Sequence, residues 1–260
     1  METSIKLYAY LCLALAVGAG SLHSLSYLGK LGQQIADFCC YAPGIDLALA
    51  YFMLLPVVIG SLVLGWAGAA IAILSELTVL WLWILAHEFA HRDSKDKGKI
   101  FTTLSSIVGK WRNHCAVWIT ALAIPLFWAV RFTELMVYPP LTKLVSLPQY
   151  DAKEWVNVSR HKFAGLVGYD LIWCLYCDWM TGVWSLGTEM LRNVESFWCP
   201  IRFCDDKKCA NCQQDFPDIS NGWVAADGKM QDVTEVLQAK YDGEGDSAWF
   251  GHPERQSDRT

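Results

Sequence analysis

Charged side chains are scarce in this chain of 260 residues: 18% of the residues are charged and 53% are hydrophobic. The run from Leu47 to Ala86 carries a single charged residue, Glu76. A basic excess is absent as well, because the net charge is -5 and the acidic excess lies in the last 60 residues. These absences argue against a nucleic-acid-binding protein. The chain also has no internal repeat and no low-complexity tract.

The run Leu47–Ala86 is about twice the roughly 20 apolar residues that one membrane span needs. It therefore predicts two helices folded back on each other, with the turn between Gly60 and Gly68. Backbone polar groups cannot stay unpaired in lipid, so this turn is expected at the far membrane interface. The 13 tryptophans fit side chains that anchor a protein at bilayer interfaces.

Three further apolar segments are predicted to span the bilayer. We expect an all-α polytopic membrane helix bundle of about five spans, followed by a small cytoplasmic cysteine-rich tail. The three segments are residues 7–24, 115–132 and 163–187, and the expected division is a membrane domain 1–190, a tail 191–242 and a disordered end 243–260.

The connector Arg92–Arg112 holds six Lys or Arg residues close to two spans. Because short basic loops stay in the cytoplasm, this connector predicts the orientation of the chain. Counting spans from it places the N-terminus outside, the loop Glu134–Lys162 outside and the tail in the cytoplasm. The expected location is a bacterial-type inner membrane.

The second helix of the predicted hairpin ends in His87-Glu88-Phe89-Ala90-His91. Histidines at i and i+4 share one helix face and can bind one zinc ion, and the adjacent Glu88 can act as general base for a bound water. The segment Ile84–His91 resembles the active-site helix of membrane-embedded zinc metallopeptidases. The alternative is a helix end at the interface, where both histidines and Glu88 face water and lipid headgroups.

The resemblance to these peptidases implies a third zinc ligand. No intramembrane Leu-Asp-Gly is present, so the ligand of the site-two type is missing. A glutamate on a later helix would replace it. Glu189 is the first choice, because the predicted topology places it level with His87, and Glu195 is the second.

Several ionisable groups fall inside the predicted spans. Asp170, Cys174, Cys177 and Asp178 follow helical spacing along one face of the last span, and Glu76 is expected at a similar depth. Such groups are costly in lipid and usually face a bundle interior or a cavity. They predict either a metal or proton site, or polar contacts to neighbouring helices or to another subunit.

The tail holds four cysteines within 14 residues: Cys199, Cys204, Cys209 and Cys212. This density suits a tetrahedral zinc site that would order a small tail. The spacing also matches part of a plant-type iron–sulfur motif, but no fourth cysteine follows downstream. The four residues could also be free thiols or, if the topology is inverted, form disulfides. An amphipathic helix with Val233, Val236, Leu237 and Tyr241 on one face is expected after an N-cap at Asp232.

Two functions follow from these patterns. The first is a non-catalytic subunit or accessory factor of a larger inner-membrane assembly, with a zinc-stapled tail for docking and with lipid and other membrane subunits as partners. The second is a zinc metallopeptidase in which His87 and His91 bind the metal and Glu88 is the base. A transporter is less favoured, because two short unwound segments in matching halves are not visible.

Overall fold

The computed structural model describes residues 1–92, 98–215 and 222–240. Within these ranges the protein is all-α, as the sequence predicts, and contains no β-strand. The predicted disordered end, 243–260, lies outside the described residues. The helices are α1 Glu2–Ser24, α2 Gly29–Cys39, α3 Gly44–Leu49, α4 Leu55–Ala90, α5 Ile100–Val108, α6 Lys110–Ala121, α7 Ile124–Phe132, α8 Tyr138–Val145, α9 Ala152–Trp155, α10 Gly168–Trp198, α11 Asp206–Asp215 and α12 Met230–Lys240.

Three helical stretches among the described residues are long and apolar enough to cross a membrane. They are Glu2–Cys39, Gly44–Ala90 and Lys110–Val145. This supports the prediction of a membrane protein, but the count of five spans is not confirmed. Helix α10 is not one of the three, although the sequence predicts a span there.

The longest of these stretches, Gly44–Ala90, reverses direction within α4. The backbone leaves the helical conformation at Leu64 and at Gly65, where φ is 58°, a value that glycine adopts without steric cost. A Cβ atom built on Gly68 would overlap the carbonyl oxygen of Gly60. In a continuous helix these two residues would lie about 12 Å apart along the axis, so the predicted hairpin and its turn are confirmed.

Helix α1 packs along both arms of this hairpin. Leu7 and Leu11 of α1 are buried against Ala72 of the second arm, and the hydroxyl of Tyr8 donates a hydrogen bond to Thr78 Oγ1 at 2.9 Å. Farther along α1, the Tyr51 hydroxyl donates to the Ala14 carbonyl at 2.6 Å. The C-terminal end of α1 therefore lies beside the end of the second arm, where His87 is.

Two loops that are distant in sequence pair with each other. Ala42 N–H donates to the Val156 carbonyl at 2.9 Å, and Val158 N–H donates to the Cys40 carbonyl at 2.8 Å. The predicted topology put the loop Glu134–Lys162 on the side of the membrane opposite to residues 25–45. These hydrogen bonds join the later part of that loop to residues 40–42, so the predicted separation of the two loops is wrong.

The chain divides into two compact units. The first comprises Met1–Ala123 with Ala152–Gly182 and holds the hairpin; the second comprises Ile124–Asp151 and the described residues from Val183 onward. In the second unit, Arg131 and Glu134 form an ion pair of 2.6 Å between side chains that are 1% and 2% exposed.

The predicted amphipathic tail helix is present as α12. It begins two residues before the predicted N-cap, so Asp232 lies in the first turn, where its carboxylate accepts the Lys229 N–H at 2.7 Å. Val233 is buried, and Val236 and Leu237 are partly buried. Tyr241 lies outside the described residues.

Candidate functional site

His87 and His91 lie at the C-terminal end of the second hairpin arm, as the sequence predicts. Their rings stack with centroids 4.2 Å apart, and the Trp83 ring stacks with His87 at a centroid distance of 4.7 Å. His87 is buried, with 9% of its surface exposed. The alternative in which both histidines face water is therefore wrong for His87.

A third histidine, His23, belongs to this cluster and was missed by sequence reasoning. Its ring centroid lies 5.9 Å from that of His87, because the end of α1 runs alongside the end of the hairpin arm. The available signal was positional: His23 ends the first apolar segment on the same predicted side of the membrane as His87. Because His23 belongs to no motif, the sequence gave no reason to place it beside His87.

The hydrogen bonds of His87 and His91 place the ring proton on different nitrogens. The Gly168 N–H donates to His87 Nδ1 at 3.1 Å, so this nitrogen is the acceptor of a neutral ring and the proton is on Nε2. His91 Nδ1 lies 2.9 Å from the His87 carbonyl and must donate to it, which leaves the Nε2 lone pair of His91 available. Zinc-binding histidines normally show the second arrangement.

Glu88 is engaged with the segments that follow the hairpin. Its carboxylate forms an ion pair of 2.7 Å with Lys99, and only about a quarter of each side chain is exposed. The Tyr169 N–H also approaches Glu88 Oε1, at 3.5 Å. Gly168 has a φ of 56°, and a side chain there would run into Glu88. His87 and Glu88 together hold the start of α10 against the hairpin.

Asp170 has partners that its predicted place within a span did not suggest. Its two carboxylate oxygens accept the N–H groups of Ile100 and Phe101 at 2.8 and 3.0 Å. These are orphan donors at the N-terminus of α5, which has no cap from its own side chains. Asp170 is therefore a capping residue supplied from α10, which is one form of the polar contact to a neighbouring helix that the sequence left open.

Asp178, about two helical turns farther along α10, also accepts backbone N–H groups. Its Oδ2 accepts those of Ser159 and Arg160 at 2.7 and 3.0 Å, and the Arg160 guanidinium lies 3.7 Å from Oδ1. The Arg160 guanidinium also lies near Cys177. These residues of the predicted polar face therefore stabilise the loop before α10.

Glu76 is the predicted intramembrane acid for which the described residues of the chain offer no partner. Its Oε1 is buried and makes no hydrogen bond to any described residue. Arg131, a cation near the end of a predicted span, pairs with Glu134. Glu76 thus remains available for a proton or for a contact outside this chain.

A Cys–His contact lies where the two loops pair. Cys40 Sγ is 3.8 Å from His161 Nε2. Partial burial lowers the pKa of His161, and the neighbouring Lys162 acts in the same direction. Burial raises the pKa of the Cys40 thiol. Both shifts favour the neutral forms at neutral pH, so the contact is a neutral hydrogen bond and not an ion pair.

An open cavity of about 570 Å³ lies beside Glu88. Its walls are mainly apolar and aromatic, and the rings of Trp81, His114 and Tyr169 pack against one another with centroids 5.8 to 6.4 Å apart. Two lysines also line it. Apart from Tyr169, the lining comprises Trp81, Ile84, Leu85, Glu88, Lys99, Phe101, Thr102, Lys110, Trp111, His114 and Asp170.

The tail cysteines do not converge on one point. Cys199 and Cys204 are exposed, Cys209 is partly buried and Cys212 is buried. Arg202 donates to Cys209 Sγ at 3.3 Å, and Arg192 donates to Cys212 Sγ at 2.6 Å. In the described ranges no three His, Cys, Asp or Glu side chains are arranged to hold a metal ion. A zinc staple stays a prediction.

The two glutamates predicted as third zinc ligands belong to the second unit. Glu189 accepts a hydrogen bond from the Tyr150 hydroxyl at 3.2 Å, and buried Asn193 donates to the same tyrosine oxygen at 2.5 Å. Glu195 is paired with Arg192. A role for Glu189 or Glu195 in metal binding stays a prediction.

No protein-family model, curated protein or solved structure matches this chain. The functional argument therefore rests on the geometry described above.

Proposed function

We propose that this protein is a non-catalytic integral subunit or accessory factor of a larger membrane assembly, and that its HExxH segment is a structural clamp. The observation that carries this proposal is the hydrogen bond from the Gly168 N–H to His87 Nδ1, at 3.1 Å. In this arrangement Nε2 is protonated and Nδ1 is occupied, so His87 offers no lone pair to a metal.

The environment of Glu88 supports the same conclusion. A general base in a zinc peptidase must reach the metal-bound water. Here the carboxylate is paired with Lys99 at 2.7 Å and lies against Gly168. The residues present therefore fit a clamp that joins the hairpin, the connector and α10, and they do not fit a zinc ion in this arrangement.

The proposal of a larger assembly is supported by Glu76. A carboxylate oxygen that is buried without a hydrogen bond is costly, most of all inside a membrane. Asp170 and Asp178 have partners within the chain, whereas Glu76 has none among the described residues. The side chain as a whole is only partly buried, so a polar group of a neighbouring subunit can approach its exposed part. We also propose that the assembly lies in a bacterial-type inner membrane, with the basic connector after His91 in the cytoplasm, as the positive-inside rule favours.

Metal analysis separates the clamp from a peptidase. We expect the full-length protein, purified in detergent, to contain no zinc that depends on His87. Zinc content should be measured for the wild type, for a variant with all four tail cysteines changed to serine, and for His87→Ala. Zinc that persists in the cysteine variant and disappears in His87→Ala would contradict the clamp.

A zinc peptidase is the second candidate, favoured by His23 and by the free Nε2 of His91. Two helices bring three imidazoles together, with centroid distances of 5.9 Å from His23 to His87 and 4.2 Å from His87 to His91. This candidate requires His87 to release the Gly168 N–H. The peptidase candidate predicts that Glu88→Gln retains zinc and loses proteolytic activity. The clamp predicts that neither the wild type nor Glu88→Gln has peptidase activity.

Substitutions of Glu76 test whether the protein belongs to a larger assembly. In a mild detergent, we expect the native complex to be heavier than the 29.2-kDa chain and Glu76→Leu to release the monomer, because leucine cannot replace the polar contact. Glu76→Gln should retain the complex. The control is Glu2→Leu, which removes an exposed carboxylate paired with Lys6. Native mass spectrometry measures all four proteins; a monomeric wild type, or a Glu76→Leu variant that stays assembled, would refute the role of Glu76.

A further inference from the structure

Two of the tail cysteines occupy one helix at a spacing that permits a disulfide. Cys209 and Cys212 lie three residues apart on α11. Helix geometry places their Cα atoms about 5 Å apart, which is within the range that disulfides span. Both cysteines are reduced in the structure. Oxidation of this pair therefore requires side-chain rotation and no large movement of the backbone.

A different guanidinium donates a hydrogen bond to each of the two sulfurs. Arg202 donates to Cys209 Sγ at 3.3 Å, and Arg192 donates to Cys212 Sγ at 2.6 Å. Each sulfur therefore accepts a charge-assisted hydrogen bond from an arginine. The Arg192 guanidinium also pairs with Glu195, so Cys212 does not have this cation to itself.

The two cysteines also differ in access. Cys209 is partly exposed, whereas Cys212 is only 3% exposed. In thiol–disulfide exchange, an accessible cysteine can meet the external disulfide and a protected neighbour can then resolve the mixed disulfide. The order Cys209 and then Cys212 follows from this difference.

We propose that Cys209 and Cys212 form a redox-active dithiol that exchanges with a small disulfide of the glutathione class. The Cys209 thiolate attacks one sulfur of the disulfide, a bond forms between them, and one thiolate leaves and takes up a proton. Cys212 then loses its proton and attacks the Cys209 sulfur, which releases the second thiol. The net reaction converts two protein thiols into one disulfide and one small disulfide into two thiols.

This activity goes beyond the membrane subunit proposed above, because it concerns the tail alone. It also competes with a zinc staple, since a zinc-bound thiolate is not available for exchange. The spacing by itself is not sufficient: Cys174 and Cys177 on α10 are also three residues apart, but they share Arg160. This second pair serves as an internal comparison.

The experiment equilibrates the full-length protein in detergent with glutathione buffers of increasing oxidised fraction, followed by alkylation, trypsin and mass spectrometry. Trypsin releases residues 209–229, which contain Cys209 and Cys212 and no other cysteine. We expect this peptide to become two hydrogens lighter and to escape alkylation as the oxidised fraction rises. The peptide 163–192, which contains Cys174 and Cys177, should remain alkylated under the same conditions.

Variants separate the roles of the residues. Cys212→Ser should trap glutathione on Cys209, Cys209→Ser should leave Cys212 unmodified, and Cys204→Ser should behave as wild type. Arg202→Gln should slow the exchange by about threefold or more, because the attacking sulfur loses its charged hydrogen-bond donor. The proposal is overturned if the 209–229 peptide stays reduced at every ratio, if the protein carries stoichiometric zinc that protects these thiols, or if both peptides oxidise in parallel.

Discussion

Gly68→Ala should destabilise the membrane domain by about 3 kcal/mol, although alanine is the better helix former. The cause is the contact between the two hairpin arms: a Cβ at Gly68 would overlap the Gly60 carbonyl. The opposing atom is backbone, so the arms must separate, and close packing of small residues is a main source of helix association in membranes. The measurement is the unfolding free energy in a titration of the detergent-solubilised protein with SDS.

Gly20→Ala is the matched control for this change. Gly20 lies within α1, and a Cβ there would meet no atom within 4 Å. Alanine is favoured over glycine in a helix by about 1 kcal/mol, so this variant should be as stable as the wild type or more stable. Equal stability losses in both variants would show that the two arms do not depend on the Gly60–Gly68 contact.

Arg131→Met should cost about 3–5 kcal/mol of unfolding free energy, because it leaves the Glu134 charge buried without its main cation. The two side chains are 1% and 2% exposed, and their ion pair measures 2.6 Å. A charge taken out of water is tolerated only with compensation, and this pair lies within one of the three stretches that can cross a membrane.

The double variant Arg131→Met/Glu134→Leu completes a double-mutant cycle. Because it removes both charges, it should recover a large part of the loss seen in Arg131→Met. Thermal unfolding of the purified proteins, followed by size-exclusion chromatography with fluorescence detection, gives the order of stabilities. A double variant less stable than Arg131→Met would mean that other contacts of these two residues dominate.

The hairpin could be predicted from the sequence because both of its causes are local. A run of this length with a single charged residue is expected to cross lipid twice, and glycines supply the turn and the close approach of the arms. The prediction of an HExxH helix end was correct for the same reason. Periodicity and composition describe a single segment well.

The partners of the polar residues could not be predicted in this way. Helical spacing places Asp170 and Asp178 on α10, but it does not reveal that α5 begins opposite one of them and the loop before α10 opposite the other. Likewise, Lys99 belongs to the connector by sequence, and only the folded chain brings it to Glu88. A capping or pairing role depends on the segment that arrives from elsewhere in the chain.

The pairing of residues 40–42 with residues 156–158 sets an order of events during biosynthesis. At about 5–20 residues per second, the ribosome needs on the order of ten seconds to reach Val158 after it has made Ala42. The hairpin and α1 can associate during that time, while the loop after α2 still lacks its hydrogen-bond partners. The first unit can thus reach its final form only after the segment Ile124–Asp151 of the second unit has been synthesised. A nascent chain arrested before Ala152 should therefore carry an inserted but unfinished unit, a state in which chaperones and membrane proteases can act.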